Sequence, residues 1–325
     1  MTLRIATFNL ENFDDVAGAV PSFARRVAIM RPQLRRIRAD VLCLQEVHSQ
    51  DSGGGRNLSA LDALLQGTQY AAFNRAHTQT VNGQLYNERN LIVLSRFPVG
   101  NTEFVRDSDG PRPSYQMATA NPPDPEADEL RWERPILYVQ LELGHARTLH
   151  LLNVHLKSKI ASNIPGQKID NYTWRTVSAW VEGSFVSSMK RVGQALQMRL
   201  LIDKIFDDHG EDALIAVCGD FNAQEDEVPV KAICGHVEET GNPAHGPRIL
   251  VPCEKNVPRS SRYSLIYLGD GEMIDHVLAS RTLLESFGHT EIHNEALPDE
   301  SGAFRTDVKF PESDHAPVVA EFEID

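Results

Sequence analysis

The chain has 325 residues, 41% of them apolar, which suits a globular protein of one large domain or two smaller ones. No run approaches the ~18–20 apolar residues of a membrane span, so no transmembrane segment is expected. With 32 Lys and Arg against 45 Asp and Glu, the net charge is −13, the wrong overall sign for holding nucleic acid through a general field. A local basic patch or a bound cation would have to reverse it.

The N-terminal MTLRIATFNL runs straight into a strand-like pattern over 3–9. It lacks the apolar core and small-residue cleavage site of a signal peptide. A helix-like run follows at about 22–38, a strand at 41–47, a helix at 58–65 and a strand at 90–95. Residues 106–133 contain DGPRP and NPPDPEADE and read as a long surface loop. Strands at 136–143 and 148–156 are joined by GHAR, which suits a hairpin. A second excursion, 157–191, leads into a helix at about 189–206. Strands follow at 213–221, 273–279 and 316–322. Strands outnumber helices, and many are too close for helical crossovers, so mixed or largely antiparallel sheets are expected. No linker divides the chain, which reads as one domain over 1–325. The four cysteines, Cys43, Cys218, Cys234 and Cys253, show no CxxC spacing. That argues against structural zinc and for reduced thiols in a cytoplasm.

Polar groups recur where apolar runs end. Asn9 closes the first strand and Glu46 the second. Asn153 and His155 share one strand face at period two, and Asp220 and Asn222 share another. Asp275 and His276 sit inside an apolar run, and Asp314 and His315 open the last strand. Any one of these would pass for a turn, a cap or a satisfied core histidine. Six such segments imply a gathering point, because each buried polar group left unpaired costs ~1–3 kcal/mol. Four carboxylates (Glu46, Asp220, Asp275, Asp314), Asn side chains and two histidines suit a hard cation and a phosphate. The G-x-x-x-x-G-K-[ST] loop and the G-x-S-x-G elbow are both missing from the sequence.

TFN, LQE, NVHLKS, GDFNA, IDHVLAS and SDHAPV, in that order, resemble the endonuclease/exonuclease/phosphatase superfamily. That group includes DNase I-like nucleases, abasic endonucleases, neutral sphingomyelinases and inositol polyphosphate 5-phosphatases. The likeness covers nearly the whole chain. It implies a four-layer α/β/β/α sandwich of two packed mixed sheets with helices outside. It implies Mg²⁺ as cofactor, with Mn²⁺ able to substitute, held by Glu46 with Asn9 beside it and Asp314 nearby. It casts Asp220 as the residue that orients or deprotonates water and Asn222 as the holder of phosphate and water. His315 would contact the scissile phosphate, with Asp275 fixing its ring. His155 would act on phosphate oxygens or as leaving-group acid, paired with Glu88 of YNERNLIVLS. Asn9, Asn153 and Tyr86 would line the substrate site. Adjacent strand residues face opposite ways, so His276 is expected to be structural.

Substrate is less legible. The excursion 157–191 carries six Lys and Arg against two acids, with Tyr172, Trp174 and Trp180. A basic rim with aromatics, including Lys157 and Trp174, suits nucleic acid, DNA or RNA, through phosphate contacts and base stacking. It equally suits a phosphoinositide or lipid surface, or a helical flap that buries its tryptophans. The leading expectation is a metal-dependent phosphodiesterase acting on nucleic acid, with no obligate protein partner. The alternative is a phosphatase or phospholipid phosphodiesterase acting on an inositol phosphate or a sphingomyelin-like ester. SDHAPV lacks the basic residue that 5-phosphatases carry after the His, and their P-x-W-C-D-R block is missing. A catalytically dead binding module is disfavoured because every expected polar position is filled.

Overall fold

A computed structural model describes residues 1–106, 110, 112–132, 134–301 and 309–324. Part of the long loop expected at 106–133 (107–109, 111 and 133) lies outside the described residues. Twelve strands form two six-stranded sheets. In chain order they are β1 Thr2–Phe13, β2 Val41–Val47, β3 Asn74–His77, β4 Asn90–Ser95, β5 Val99–Val105 and β6 Ile136–Gly144. Then come β7 Arg147–His155, β8 Leu214–Asp220, β9 Leu250–Pro252, β10 Asp275–Ser280, β11 Phe287–Ile292 and β12 Val318–Glu323. The first sheet has the order β11-β12-β1-β2-β4-β3 and the second β9-β10-β8-β7-β6-β5. Only β1–β2 and β7–β8 pair in parallel, so both sheets are mixed, as expected. The last strand closes against the first, Thr2 opposite Glu323.

Strand alternation builds the layers. Leu3 and Ile5 of β1, Val41 and Cys43 of β2, Leu149 and Leu151 of β7, Ala216 and Cys218 of β8, and Val277 and Ala279 of β10 meet between the sheets. Their neighbours at odd offsets turn outward. Ala6, Phe8, Leu42 and Leu44 pack under α1 (Phe23–Ile37) and α2 (Ser59–Leu65). Leu152, Val154, Ile215 and Val217 pack under α3 (Val177–His209). The result is the four-layer sandwich.

The helix expected at 189–206 is 33 residues long and starts inside the second excursion. Thr176 caps its N-terminus, its side chain accepting from Ala179 N. Glu182 is buried on this helix and accepts bonds from Tyr115 Oη and from the amides of Ala118 and Thr119, which ties the 115–119 loop down. All four cysteines are buried free thiols. Among the described residues, no helix is long and apolar enough to cross a membrane.

Gly219 explains how β7 and β8 run so close where polar residues begin. It has φ +148°, and a Cβ there would meet Val154 O at 1.9 Å. Gly219→Ala is therefore expected to destabilise the fold by about 3 kcal/mol or more, read as a lower denaturant midpoint.

Candidate active site

The inter-sheet core changes character toward one end of the sandwich. Beyond the Leu, Val and Cys layer lies a plate of buried amides and a hydroxyl. Gln45 Nε2 donates to Thr7 Oγ1 (3.0 Å) and to Asn153 Oδ1 (2.7 Å). Asn153 Nδ2 crosses between the sheets to the carbonyls of Leu44 (3.1 Å) and Ile92 (3.0 Å). Asn153 and His155 do share a face, but Asn153 sits one pleat deeper and its carboxamide is fully used. It staples the sheets and lines no substrate site.

The next pleat holds the charged groups. Asp220 is buried, and its Oδ2 accepts from Asn9 Nδ2 (3.0 Å) and His155 Nε2 (3.1 Å). Its Oδ1 accepts from the Asn222 amide at 2.8 Å. Burial alone would raise the Asp220 pKa. The paired His155, the charge of His315 and the Asn222 N–H outweigh it and hold this carboxyl well below the usual range. Asn222 has φ +47° and gives Nδ2 to Leu156 O at 3.1 Å, so it shapes the strand end that presents Asp220.

Asp275 lies directly across the β8–β10 ladder from Asp220. Its Oδ2 is 2.7 Å from His315 Nδ1. Burial opposes a charged imidazole at 315, but Asp275, Asp220 and Asp314 surround it and raise its pKa well above the ordinary value. His315 Nε2 points toward Asp220 Oδ2 and Asp314 Oδ1, each at 3.9 Å. Ser313 locks this corner: its Oγ donates to Asn9 O (2.7 Å) and accepts from His315 N (3.1 Å). Ser264 Oγ accepts from the amides of Ile274 and Asp275, and its carbonyl accepts from Ala316 N.

Glu46 arrives by a backbone irregularity. Plain alternation would send it outward with Leu42 and Leu44. It instead takes φ +58°, and β2 shifts register against β4 between Leu44 and Val47. Glu11 and Asn12 are also left-handed, at +50° and +46°. Such values in non-glycine residues persist only where the surroundings impose them. Here Arg26 donates to the carbonyls of Leu10, Glu11 and Asn12, and Asn12 N donates to Glu46 Oε2 at 2.7 Å. Glu46 Oε1 faces His155 Nε2 at 3.6 Å. Burial pushes Glu46 up, while His155, Arg134, His315 and the Asn12 N–H bring it below the usual value.

The expected partner of His155 is not Glu88. Glu88 is exposed in the turn before β4 and makes no ion pair with His155. Asn90 pins that turn by accepting from Tyr86 N and donating to the carbonyls of Tyr86 and Val47. His155 is 2% exposed, and burial with nearby Arg134 lowers its pKa despite Asp220 and Glu46. Glu88→Gln is thus expected to leave turnover within about 2-fold, checked by steady-state kinetics beside the native chain.

The other three candidates are placed as follows. Tyr86 reaches its neighbours through its backbone, with no hydrogen bond from its hydroxyl. Lys157 turns Nζ back onto Ser158 and the Ile160 carbonyl. Trp174 packs on a satellite core of Ala120, Leu130, Ile164 and Val186, with Lys168 Nζ over its ring at 4.8 Å. The rest of the basic excursion is similarly engaged. Lys159 pairs with Glu227 and Glu272, Arg175 binds Gly166 O, and buried Arg191 binds the carbonyls of Lys157 and Ser158. His276 faces the helical layer as alternation requires, paired with buried Glu254 and bonded to Ala223 O at 2.9 Å.

Sequence reasoning missed several groups. Arg134, just before β6, donates to Leu156 O and lies within electrostatic reach of Glu46 and His155. Glu11 follows Asn9 by two residues and is pushed up to about 8 by burial and by Asp314. Glu300 is pushed up to about 7 by burial and by Asp314. Asp299 fastens that segment by accepting from Gly269 N and Ser301 N. A polar residue beside a motif residue was a usable signal for Glu11. Glu300 has none, because only the tertiary fold brings it near.

Asp220, Asp275 and His315 present ligand atoms within 4.8 Å of one another. Oδ1 of Asp275 and Oδ1 of Asp314 are buried without a hydrogen-bond partner. Crowded, mutually repelling carboxylates with idle oxygens fit a hard divalent cation, which takes oxygen ligands.

Two face-to-face mixed sheets, with this cluster between them at one end, define a DNase I-like hydrolase of phosphoester bonds. The chain belongs to the Endonuclease/Exonuclease/phosphatase family, whose family model matches residues 6–315. No curated protein matches it in sequence. An endonuclease/exonuclease/phosphatase from Bacteroides vulgatus is similar in fold, with TM-score 0.58, 15% identity and 100% of each chain covered. TDP2 from D. rerio, solved with a single-strand DNA product, has TM-score 0.56 and 16% identity over 99% of each chain. An AP endonuclease from Archaeoglobus fulgidus has TM-score 0.52 and 16% identity over 99% of this chain and 100% of its own.

Proposed function

We propose that the protein is a Mg²⁺-dependent phosphodiesterase that hydrolyses nucleic acid by water attack, with Mn²⁺ able to substitute. The observation that carries this reading is the juxtaposition of Asp220, held ionised, with His315, held charged by Asp275. A base beside a cation is what in-line displacement at phosphorus needs. Asp220 orients or deprotonates the water. Asn9, His155 and the Asn222 amide hold its carboxylate in place. His315 donates to a non-bridging phosphate oxygen. Glu46, with Asn9 and Asp314 beside it, would hold the cation, which supplies positive charge to the phosphate and leaving oxygens.

DNA or RNA is preferred as substrate because similarly folded proteins include an AP endonuclease and a TDP2 solved with single-strand DNA. A smaller phosphate ester is the second reading, favoured by how many basic groups of 157–191 are engaged within the fold. The deciding experiment incubates the protein with supercoiled plasmid and, in parallel, with bis-p-nitrophenyl phosphate, in Mg²⁺, Mn²⁺ or EDTA. Cleavage of both, lost in EDTA, is expected. Cleavage of the small diester alone would move the substrate to inositol phosphates or phospholipids. Cleavage of neither would remove the phosphodiesterase reading.

A further inference from the structure

The outer face of α3 is apolar where a solvent-facing helix surface is ordinarily charged. α1 shows the ordinary pattern, with Arg25, Arg35 and Arg36 exposed outward. On α3, every exposed position from Val177 to Leu200 is uncharged. Val177, Val181, Phe185, Val192, Leu196 and Leu200 are between 37% and 76% exposed. At 3.6 residues per turn all but Leu200 fall within an arc of about 100°, and Leu200 extends its edge. The ridge is roughly 35 Å long at 1.5 Å per residue. With Trp180 at its border it exposes on the order of 600 Å² of apolar side chain, the upper end of what a monomer's surface carries.

The polar groups of this face are withdrawn as well. Ser184 Oγ donates to Trp180 O (3.0 Å) and Ser188 Oγ to Ser184 O (2.9 Å), each one turn back. Hydroxyls folded onto their own helix reduce the polar groups this surface offers to water, and Ser178 at its N-terminal end keeps its hydroxyl exposed.

The ridge is also self-complementary. Its order is Val177, Val181, Phe185, Ser188, Val192, Leu196, Leu200. Reversed about a point between residues 188 and 189, Phe185 falls on Val192, Val181 on Leu196 and Val177 on Leu200. At the centre the small Ser188 falls on the partly exposed Met189 of the second copy, a small residue against a larger flexible one. A surface that matches its own reverse is the requirement for an isologous two-fold interface. The exposed area approaches the ~800 Å² per partner of a standard interface. A shallow groove between Tyr115 and the Val177–Phe185 turns would receive the partner's Leu196 and Leu200.

We propose that the protein self-associates through α3, two copies crossing antiparallel about a two-fold axis beside Ser188. The helix's inner face is occupied by the second sheet, so the dimer leaves the candidate active site untouched.

Sedimentation of the native chain and of Leu196→Glu, together with oxidative cross-linking of Ser188→Cys, tests this. The native cysteines are all buried, so background cross-linking is low. A native dimer is expected, with Leu196→Glu raising its dissociation constant at least ~30-fold, the scale of an interface hot spot. The Ser188→Cys chain should cross-link to itself and the Val177→Cys chain should not. A native chain that stays monomeric at every concentration would overturn the proposal, as would a dimer that survives Leu196→Glu. Self-cross-linking of Val177→Cys would replace the antiparallel arrangement with a parallel one. A monomer that floats with phospholipid vesicles would assign the ridge to a lipid surface instead.

Discussion

Asp220→Asn is expected to cut phosphodiester turnover by at least ~10³-fold, the scale on which positioned acid–base and electrostatic groups act. The carboxylate is buried and accepts three hydrogen bonds, from Asn9, His155 and the Asn222 amide. An amide of the same shape cannot accept a proton from water. It also sets an NH₂ against one of those donors. That conflict costs ~1–3 kcal/mol of stability, so circular dichroism at the assay temperature must accompany the kinetics. A folded variant with activity within tenfold of the native chain would remove Asp220 from the reaction.

His276 and His315, which lie on opposite sides of the strand carrying Asp275, should separate by turnover. His276→Gln is expected to destabilise by about 3–5 kcal/mol, because it leaves Glu254 as a buried carboxylate without its partner. For a chain of 325 residues this is a melting shift of roughly 4–7 °C. Turnover per folded molecule should change little, since His276 faces the helical layer. His315→Gln should also lower the melting temperature, because it leaves buried Asp275 without its partner, but it should cut turnover per folded molecule by ~10²-fold or more. The reverse order would mean that Asp275 points away from the site. Burial lowers the His276 pKa, but Glu254 and the Ala223 carbonyl raise it more, so the net shift is upward. The stability from that pair is therefore fully present below the ordinary His value and is lost as pH rises through the raised one. The native melting temperature should fall on the alkaline side, and His276→Gln should flatten that fall.

Much of this site was legible because strands alternate. Period two placed His155 with Asn153, and set Asp275 and His276 on opposite faces. It could not give depth, which is why Asn153, one pleat inward, became a staple between the sheets. Nor could it give the direction of Glu46, whose left-handed backbone reverses what alternation dictates. Glu88 failed because a loop residue's position follows from the turn that holds it, here the Asn90 bonds. The start of α3 was hidden for another reason. Residues 177–188 are rich in Ser and Val, with apolar side chains exposed and Glu182 and Ser187 buried, so they show no helical periodicity. The edge strands β3, β5 and β11 were missed because they are half-exposed and polar in alternation.

Three pairs of the site cross from one sheet to the other, Asn9 with Asp220, Glu46 with His155, and His315 with Asp275, while His155 with Asp220 joins neighbouring strands of the second sheet. Neither sheet owns a working half. During synthesis, a ribosome-bound chain that has not yet emitted residue 315 holds carboxylates with no imidazolium beside them. On the proposed mechanism such a chain lacks the group that contacts the phosphate. On that reading the hydrolase becomes competent only when its last strand closes against its first.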